Sequence, residues 1–228
     1  MPTAAVLFTG GKDSVYALHK AIGEGLEVKV LVSAIPHYNY SLLYHRPSYT
    51  GLLAQAQSLS MPLETIGLYD PRREIEALYH LLRRVREKYG VEVAVTGGIK
   101  SRFQLKAFSE AASRVGLRVY APCWGFRELD YMAELLRSGI KFIVVSITSM
   151  GIPHSLLGKV FTENDLDTLS RLSARYGFNI SFEGGEAETF VVDAPLFKYR
   201  LLVHGETKIV SEFEGYYEIR KISLVKKV

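Results

Sequence analysis

The segment Thr9-Gly10-Gly11-Lys12-Asp13-Ser14 constrains this chain more than any other, because of what stands on either side of it. Before it runs the apolar stretch Ala4–Phe8, which reads as a buried strand. After it, Val15, Leu18, His19 and Ile22 recur at helical spacing until Gly23 and Gly25 stop the pattern. A strand that passes through glycines into a helix opens an α/β unit. Glycine at such a turn lets main-chain N–H groups face an anion without a Cβ in the way. The first helical turn adds donors that have no partner inside the helix, together with the favourable end of its dipole. Lys12 is placed to neutralise phosphate charge and Ser14 to donate a hydroxyl hydrogen bond. Asp13 reads two ways, as a helix cap or as a contact to Mg2+ that relieves its repulsion from phosphate.

The periodicity beyond the loop repeats the theme. Val28–Val32, Leu63–Leu68, Glu92–Val95 and Arg118–Ala121 read as further strands. Helices are expected over Gly51–Leu59, over the stretch whose apolar face is Ile75, Leu78, Tyr79, Leu82, Val85 and Tyr89, and over Ser101–Val115. Strands alternating with helices argue for a parallel sheet covered on both faces. Thr96-Gly97-Gly98 follows the fourth strand, at the sheet end where open α/β folds bind ligands, so Gly97 and Gly98 are candidate nucleotide contacts or a plain strand-to-helix turn. The tyrosine-rich region Pro36–Ser48 reads as a loop.

The pattern changes near Trp124–Leu129. Leu129–Leu136 and Glu163–Tyr176 read as helices and Phe142–Ile147 as a strand. From Phe190 onward alternating strands are expected to turn at His204-Gly205 and Glu214-Gly215. Two domains are therefore expected, residues 1–125 and a smaller α+β domain over residues 126–228. Neither an internal repeat nor a low-complexity tract is visible.

Composition narrows the functional classes. A net charge of +4 in 228 residues permits an acidic partner but is no nucleic-acid signature. Arg83, Arg84 and Arg86 lie off the apolar face of their helix and read as a solvated face. A single cysteine, Cys123, excludes an internal disulfide and a multi-thiolate metal site, and its apolar setting reads as a buried small side chain. His19, His80 and His204 are scattered, and only His45 and His154 stand in distinctive loops. No secretory leader and no bilayer-length apolar run is seen, so no membrane partner and a cytoplasmic location are expected. Assembly into a homo-oligomer is left open.

The glycine loop is spaced neither as a Walker A loop nor as the dinucleotide fingerprint. It resembles the PP-loop, Ser-Gly-Gly-x-Asp-Ser, of the ATP pyrophosphatases, with Thr9 keeping the hydroxyl of the first serine. That resemblance implies a Rossmann-like sheet of the adenine nucleotide alpha hydrolase type, and cleavage of ATP between its α and β phosphates. A second unusual segment is Glu183-Gly184-Gly185-Glu186-Ala187-Glu188-Thr189, leading to Asp193-Ala194-Pro195-Leu196-Phe197. Grouped carboxylates call for a cation or a basic partner, or else form a solvated acidic turn.

With both segments in order, and with Gly97-Gly98-Ile99-Lys100-Ser101, Ala121-Pro122-Cys123-Trp124 and Gly151-Ile152-Pro153-His154-Ser155-Leu156-Leu157-Gly158 between them, residues 4–200 resemble the diphthine–ammonia ligase family. The resemblance implies that ATP adenylates the carboxylate of diphthine on elongation factor 2, and that ammonium then supplies the amide nitrogen. It assigns Thr9, Gly10, Gly11, Lys12, Asp13 and Ser14 to the phosphates, with Mg2+ at Asp13, and Glu183, Glu186 and Glu188 to the acceptor pocket. Trp124 and Tyr44 are candidate faces for the quaternary ammonium. Three positions depart from the family pattern: Arg102-Phe103-Gln104 where Asp-Tyr-Gln is usual, Cys123 in place of leucine, and Ala187 in place of an aromatic. A chain of this length has no room for a glutamine-hydrolysing domain, so free ammonium is the expected nitrogen source. Two other readings compete: a PP-loop ligase that modifies tRNA, and a regulatory module that binds ATP without chemistry.

Overall fold

The computed structural model describes residues 1–38 and 48–227, so Tyr44 and His45 lie outside the described residues. The chain divides into two compact units, Met1–Trp124 and Gly125–Val228.

The first unit runs β1 (Thr3–Leu7), α1 (Lys12–Gly23), β2 (Glu27–Pro36), α2 (Tyr49–Leu59), β3 (Leu63–Leu68), α3 (Glu74–Tyr89), β4 (Val93–Val95), α4 (Arg102–Ser113) and β5 (Arg118–Tyr120). Its five strands are all parallel, in the order β3-β2-β1-β4-β5. This is the α/β class that the alternating pattern predicts. Ala5, Val30, Val32, Ala34 and Ala94 turn one sheet face toward Leu78, Leu82 and Val85 of α3 and Ala107 and Ala111 of α4. The intervening Ala4, Val6, Leu31 and Val95 are buried as well, and α1 packs against β1, β2 and β4. Both faces are therefore covered, which is why these strands read as unbroken apolar runs. Each leucine buried along α3 contributes about 1.5–3 kcal/mol.

The α3 arginines serve the fold. Arg84 donates to the Thr65 carbonyl at 2.7 Å and pairs with Glu64, Arg86 donates to the Val115 carbonyl, and Arg83 lies over the Tyr79 ring. Cys123 is buried, as its setting predicts. Among the described residues no helix is long and apolar enough to cross a membrane.

The second unit runs α5 (Glu128–Arg137), β6 (Lys141–Ile147), α6 (Glu163–Tyr176), β7 (Ala187–Asp193), β8 (Tyr199–Ile209) and β9 (Gly215–Lys226). Its antiparallel sheet has the order β7-β6-β9-β8. Tyr131, Met132 and Leu135 of α5, Phe142 and Val144 of β6 and Leu169 of α6 are fully buried. Phe142 stacks on Phe161 with ring centroids 5.0 Å apart.

Helix α6 starts with a reciprocal cap. The Thr162 hydroxyl oxygen accepts the Asp165 N–H, while an Asp165 carboxylate oxygen accepts the Thr162 N–H at 2.9 Å and the Thr162 hydroxyl at 2.6 Å. Lys159 pairs with the other oxygen at 2.6 Å.

His204-Gly205 does not turn the chain, contrary to the sequence expectation. It lies inside β8, where the register against β9 shifts by one residue. The turn falls at residues 210–214, closed by Val210 N–H and Ser211 N–H donating to the Glu214 carbonyl. Glycine is needed at 205 for space: a Cβ there would stand 2.3 Å from the Glu218 carbonyl oxygen on the partner strand. The residue skipped is Arg220, so the β-bulge is in β9 facing Gly205, and a glycine inside a strand pattern marks such a close backbone approach.

Two outcomes follow for stability. Gly205→Ala is expected to cost about 1–3 kcal/mol in urea unfolding, as overpacking against main chain does, where a turn glycine in open space would tolerate alanine. Burial opposes ionisation of Asp165, but hydrogen bonds from Lys159 and Thr162 outweigh it and hold the carboxyl below its ordinary value. Its contribution is thus present above the ordinary carboxylate pKa and is lost as pH falls through the lowered one. The stability gap between wild type and Asp165→Asn should be full at pH 7 and should close below about pH 4.

Candidate functional site

From β1 the chain passes outward to β2 and β3, then returns to β4 on the other side of β1. The connections leaving β1 and β4 therefore diverge, and a crevice opens at their carboxyl ends. Both glycine segments singled out in the sequence lie there.

Gly10 takes φ +75°, and a Cβ on it would fall 2.2 Å from the Gln55 side-chain oxygen. The buried Gln55 amide donates to the Gly10 carbonyl at 2.9 Å, fixing the turn from α2. Gly11 is the N-cap of α1 and supplies no side-chain hydrogen bond, so no cap side chain covers the first amides of the helix. The Ser14 hydroxyl donates to the Gly11 carbonyl at 3.1 Å and accepts from the Thr9 N–H at 3.2 Å and the Thr9 hydroxyl at 3.3 Å. Its resting role is to close the loop. Lys12 is 1% exposed, and its Nζ binds both carboxylate oxygens of Asp13, at 2.7 and 2.9 Å.

Gly97 packs on this loop. A Cβ there would come within 2.6 Å of the Asp13 carbonyl carbon and 2.9 Å of the Ser14 nitrogen. Gly98 follows, its N–H 3.5 Å from the Thr96 hydroxyl. The structure thus brings Thr9–Ser14 and Gly97 together, with Gly98 beside them. Chemically the crevice offers helix-end amides, one ammonium and one carboxylate: a cradle for a charged phosphate chain. Among the described residues no three His, Cys, Asp or Glu side chains are grouped to hold a metal ion.

The acidic segment belongs to the second unit. Phe182 enters it at φ +63° with its ring buried and edge-on to Phe161, a strained backbone held by packing. Glu183 is half-buried and Gly184 and Gly185 are exposed. Glu186 Oε1 accepts the Asn179 N–H at 3.0 Å, and its main-chain carbonyl accepts the Thr148 N–H at 2.9 Å. A Cβ at Gly184 would stand 2.6 Å from Glu186 Oε1, so the Glu186 carboxylate lies directly over this glycine. The Thr148 hydroxyl donates to the Gly185 carbonyl at 2.6 Å. Ala187 is buried opposite Ile147, at the position where the family pattern has an aromatic. Glu188 is not in a loop but on β7, directly opposite Ser146, and Ser146 in turn faces Tyr216 of β9. A hydrogen bond to Glu214, then burial and the charges of Glu214 and Glu188, raise the Tyr216 phenol above its ordinary value.

Gln55, Ser146 and Tyr216 were not singled out in the sequence. Gln55 had a signal, a polar side chain on the stripe Leu52, Gln55, Ala56, Leu59. Ser146 and Tyr216 had none, because cross-strand register brings them to Glu188. Trp124, a candidate aromatic face, and Arg102 are both exposed.

Comparison with known proteins agrees with this division. The diphthamide synthase N-terminal domain matches residues 2–119 and the diphthamide synthase C-terminal domain residues 127–225. The diphthine–ammonia ligase of Mus musculus is 30% identical over 240 residues, covering 96% of this chain and 90% of its own. That of Homo sapiens is 28% identical over 232 residues, covering 93% and 86%. A solved structure titled as a predicted subunit of tRNA methyltransferase from Methanocaldococcus jannaschii covers 86% of this chain and 98% of its own at 17% identity and a TM-score of 0.43, too distant a likeness to bear on function. With both domain families matched in order across nearly its whole length, the chain belongs to the diphthamide synthase family.

Proposed function

We propose that this protein is a diphthine–ammonia ligase that uses ATP, with elongation factor 2 carrying diphthine as its acceptor. The substrate reading is supported by the family match of both units. The nucleotide reading is carried by one observation, the glycine loop at the switch point with Gly97 pinned against it.

The chemistry assigned to the first unit is phosphate handling. A carboxylate oxygen of diphthine attacks the α-phosphorus, the α–β bridging bond breaks, and pyrophosphate leaves with the electron pair. Amides at the head of α1 and the Lys12 ammonium are placed to take up that developing charge. Lys12 would then exchange Asp13 for phosphate oxygens. Asp13, released, suits a Mg2+ ion held mainly by phosphate and water, the habit of that ion at nucleotide sites. Mg2+ would supply charge neutralisation along the phosphate chain. In the second step ammonium gives one proton to solvent and the resulting ammonia attacks the acyl carbon; the acyl–oxygen bond to AMP breaks with its electron pair going to AMP, and the nitrogen gives a second proton to solvent to leave the amide. The second unit, with Glu183, Glu186 and Glu188, is assigned to the acceptor and the nitrogen donor. Their carboxylates suit cationic groups, and the rigid anchoring of Glu186 suits a positioned contact.

The test combines protein, ATP, Mg2+, ammonium and diphthine-bearing elongation factor 2, following AMP and the mass of the acceptor. Amidation is expected to require both nucleotide and ammonium. Lys12→Met, which keeps the stem, should lower kcat by about 10²–10³, the usual loss for a charge-stabilising donor. Glu186→Ala should raise the KM for the acceptor or for ammonium while ATP binding stays as in wild type. A Glu186→Ala protein with wild-type kinetics would remove the second-unit assignment. Tight ATP binding without pyrophosphate release under any acceptor would replace the ligase with a non-catalytic nucleotide sensor.

A further inference from the structure

The antiparallel sheet of the second unit ends in an open edge. β8 stands last in the order β7-β6-β9-β8 and pairs with β9. At 11 residues it is about twice as long as an average strand. In an antiparallel ladder, alternate residues turn their N–H and C=O away from the paired strand. Among the described residues, no main-chain group from Arg200 to Lys208 bonds to main chain beyond this ladder. Folds usually blunt such an edge with proline, with a bulge in the edge strand or by keeping it short. β8 contains no proline, and the bulge of this hairpin is in β9. We infer that two copies of this chain form a dimer through β8, the two strands pairing antiparallel across a two-fold axis at Val203. This contact is independent of the ligase reading.

The order of side chains along β8 argues for a second copy as the occupant. Leu201 and Val203 turn toward the core, while Arg200, Leu202, His204 and Glu206 share the outer face. Arg200 and Glu206 stand three residues to either side of Val203. Pairing about Val203 therefore sets Arg200 of each copy directly opposite Glu206 of the other, twice over. Opposite charges in direct cross-strand register stabilise a ladder, and like charges weaken it. An axis at His204 would set Arg200 against Lys208. One at Leu202 would leave Glu206 beyond the end of the facing strand. Charge thus selects one register.

The residues on the page have the capacity for this pairing. Arg200 has no ion pair of its own among the described residues. Glu206 meets Arg220 at 3.4 Å from the β9 side, but its side chain is 68% exposed and can accept a second guanidinium from the edge. Leu202 is 49% exposed although it lies mid-strand. In the paired edge the two Leu202 side chains are diagonal neighbours across the axis, and the two Val203 side chains face each other. The contact has an apolar centre flanked by ion pairs. It also closes, because each copy commits its one β8 edge to the other and association stops at two. A strand from an unrelated protein would satisfy the main chain equally well; the mirrored placement of Arg200 and Glu206 about Val203 is what favours a second copy.

Two measurements on the full chain decide it. Sedimentation equilibrium over a range of protein concentrations should show a species of twice the chain mass. Arg200→Glu, which sets glutamate against Glu206, should raise the dimer dissociation constant about tenfold. Circular dichroism and thermal unfolding should match wild type, since Arg200 is exposed and its pairing lies outside the monomer. In the second, Val203→Cys and Thr207→Cys are each treated with a short bismaleimide, Cys123 being buried. Position 203 should link to its own copy, and position 207, eight residues from its counterpart across the axis, should not. A wild type that stays monomeric at every concentration overturns the proposal. So does a dimer that Arg200→Glu leaves unchanged, or one that gives no link at 203, since the contact then lies on another face. A monomer in which Arg200→Glu raises the KM for the protein acceptor would make β8 a docking edge for that acceptor instead, and the dimer would fall.

Discussion

The contact between Gly97 and the main chain of Asp13 and Ser14 is the constraint on which the first unit's chemistry depends. Strands β1 and β4 are neighbours in the sheet although far apart in sequence, and their outgoing connections must part at the carboxyl edge. The absence of a side chain at 97 lets the β4 connection lie directly on the first turn of α1. Any Cβ there would push the two segments apart and widen the crevice at the amides meant to face an anion. Gln55 braces the opposite side of the loop by holding the Gly10 carbonyl. The loop is therefore set before any ligand arrives, and little ordering cost remains for binding to meet.

Charge at this site is arranged for exchange. Lys12 is almost wholly buried, and a buried ammonium left without a counter-ion costs several kcal/mol. Asp13 supplies that counter-ion at 2.7 Å. A phosphate oxygen replacing Asp13 gives Lys12 one anion for another, so the main desolvation cost has already been met by folding. Asp13 is about one-third exposed and returns readily to water or to a cation. The sequence shows both residues but not their pairing, which depends on the rotamers of adjacent side chains at a helix start.

Much of the architecture was legible because it is periodic. The apolar runs of β1, β2 and β4, buried on both faces, and the stripe along α3 announce a covered parallel sheet without any long-range information. That both glycine segments of the first unit stand between a strand and a helix at the carboxyl edge of the sheet was legible too. What escaped depends on register. Gly205 looked like a turn and proved to lie within β8, opposite a bulge in β9, because a glycine beside a histidine has the same local signature in either setting. Glu188 looked like part of a loop and proved to lie on a strand opposite Ser146, with Tyr216 one strand further. Gln55 reaches Gly10 across 45 residues of chain, a pairing that only folding creates. In Glu183-Gly184-Gly185-Glu186 the composition pointed to a ligand-facing segment, yet the position of the Glu186 carboxylate over the first glycine is visible only in three dimensions.

The most direct measurement is a crystal structure of the protein with Mg2+ and an ATP analogue whose α–β bridge cannot be cleaved. The expected result is a triphosphate lying against the amides of Gly11–Ser14, with the Lys12 ammonium moved from Asp13 to a phosphate oxygen. A triphosphate bound elsewhere, with the Lys12–Asp13 pair intact and the crevice beside Gly97 empty, would contradict it.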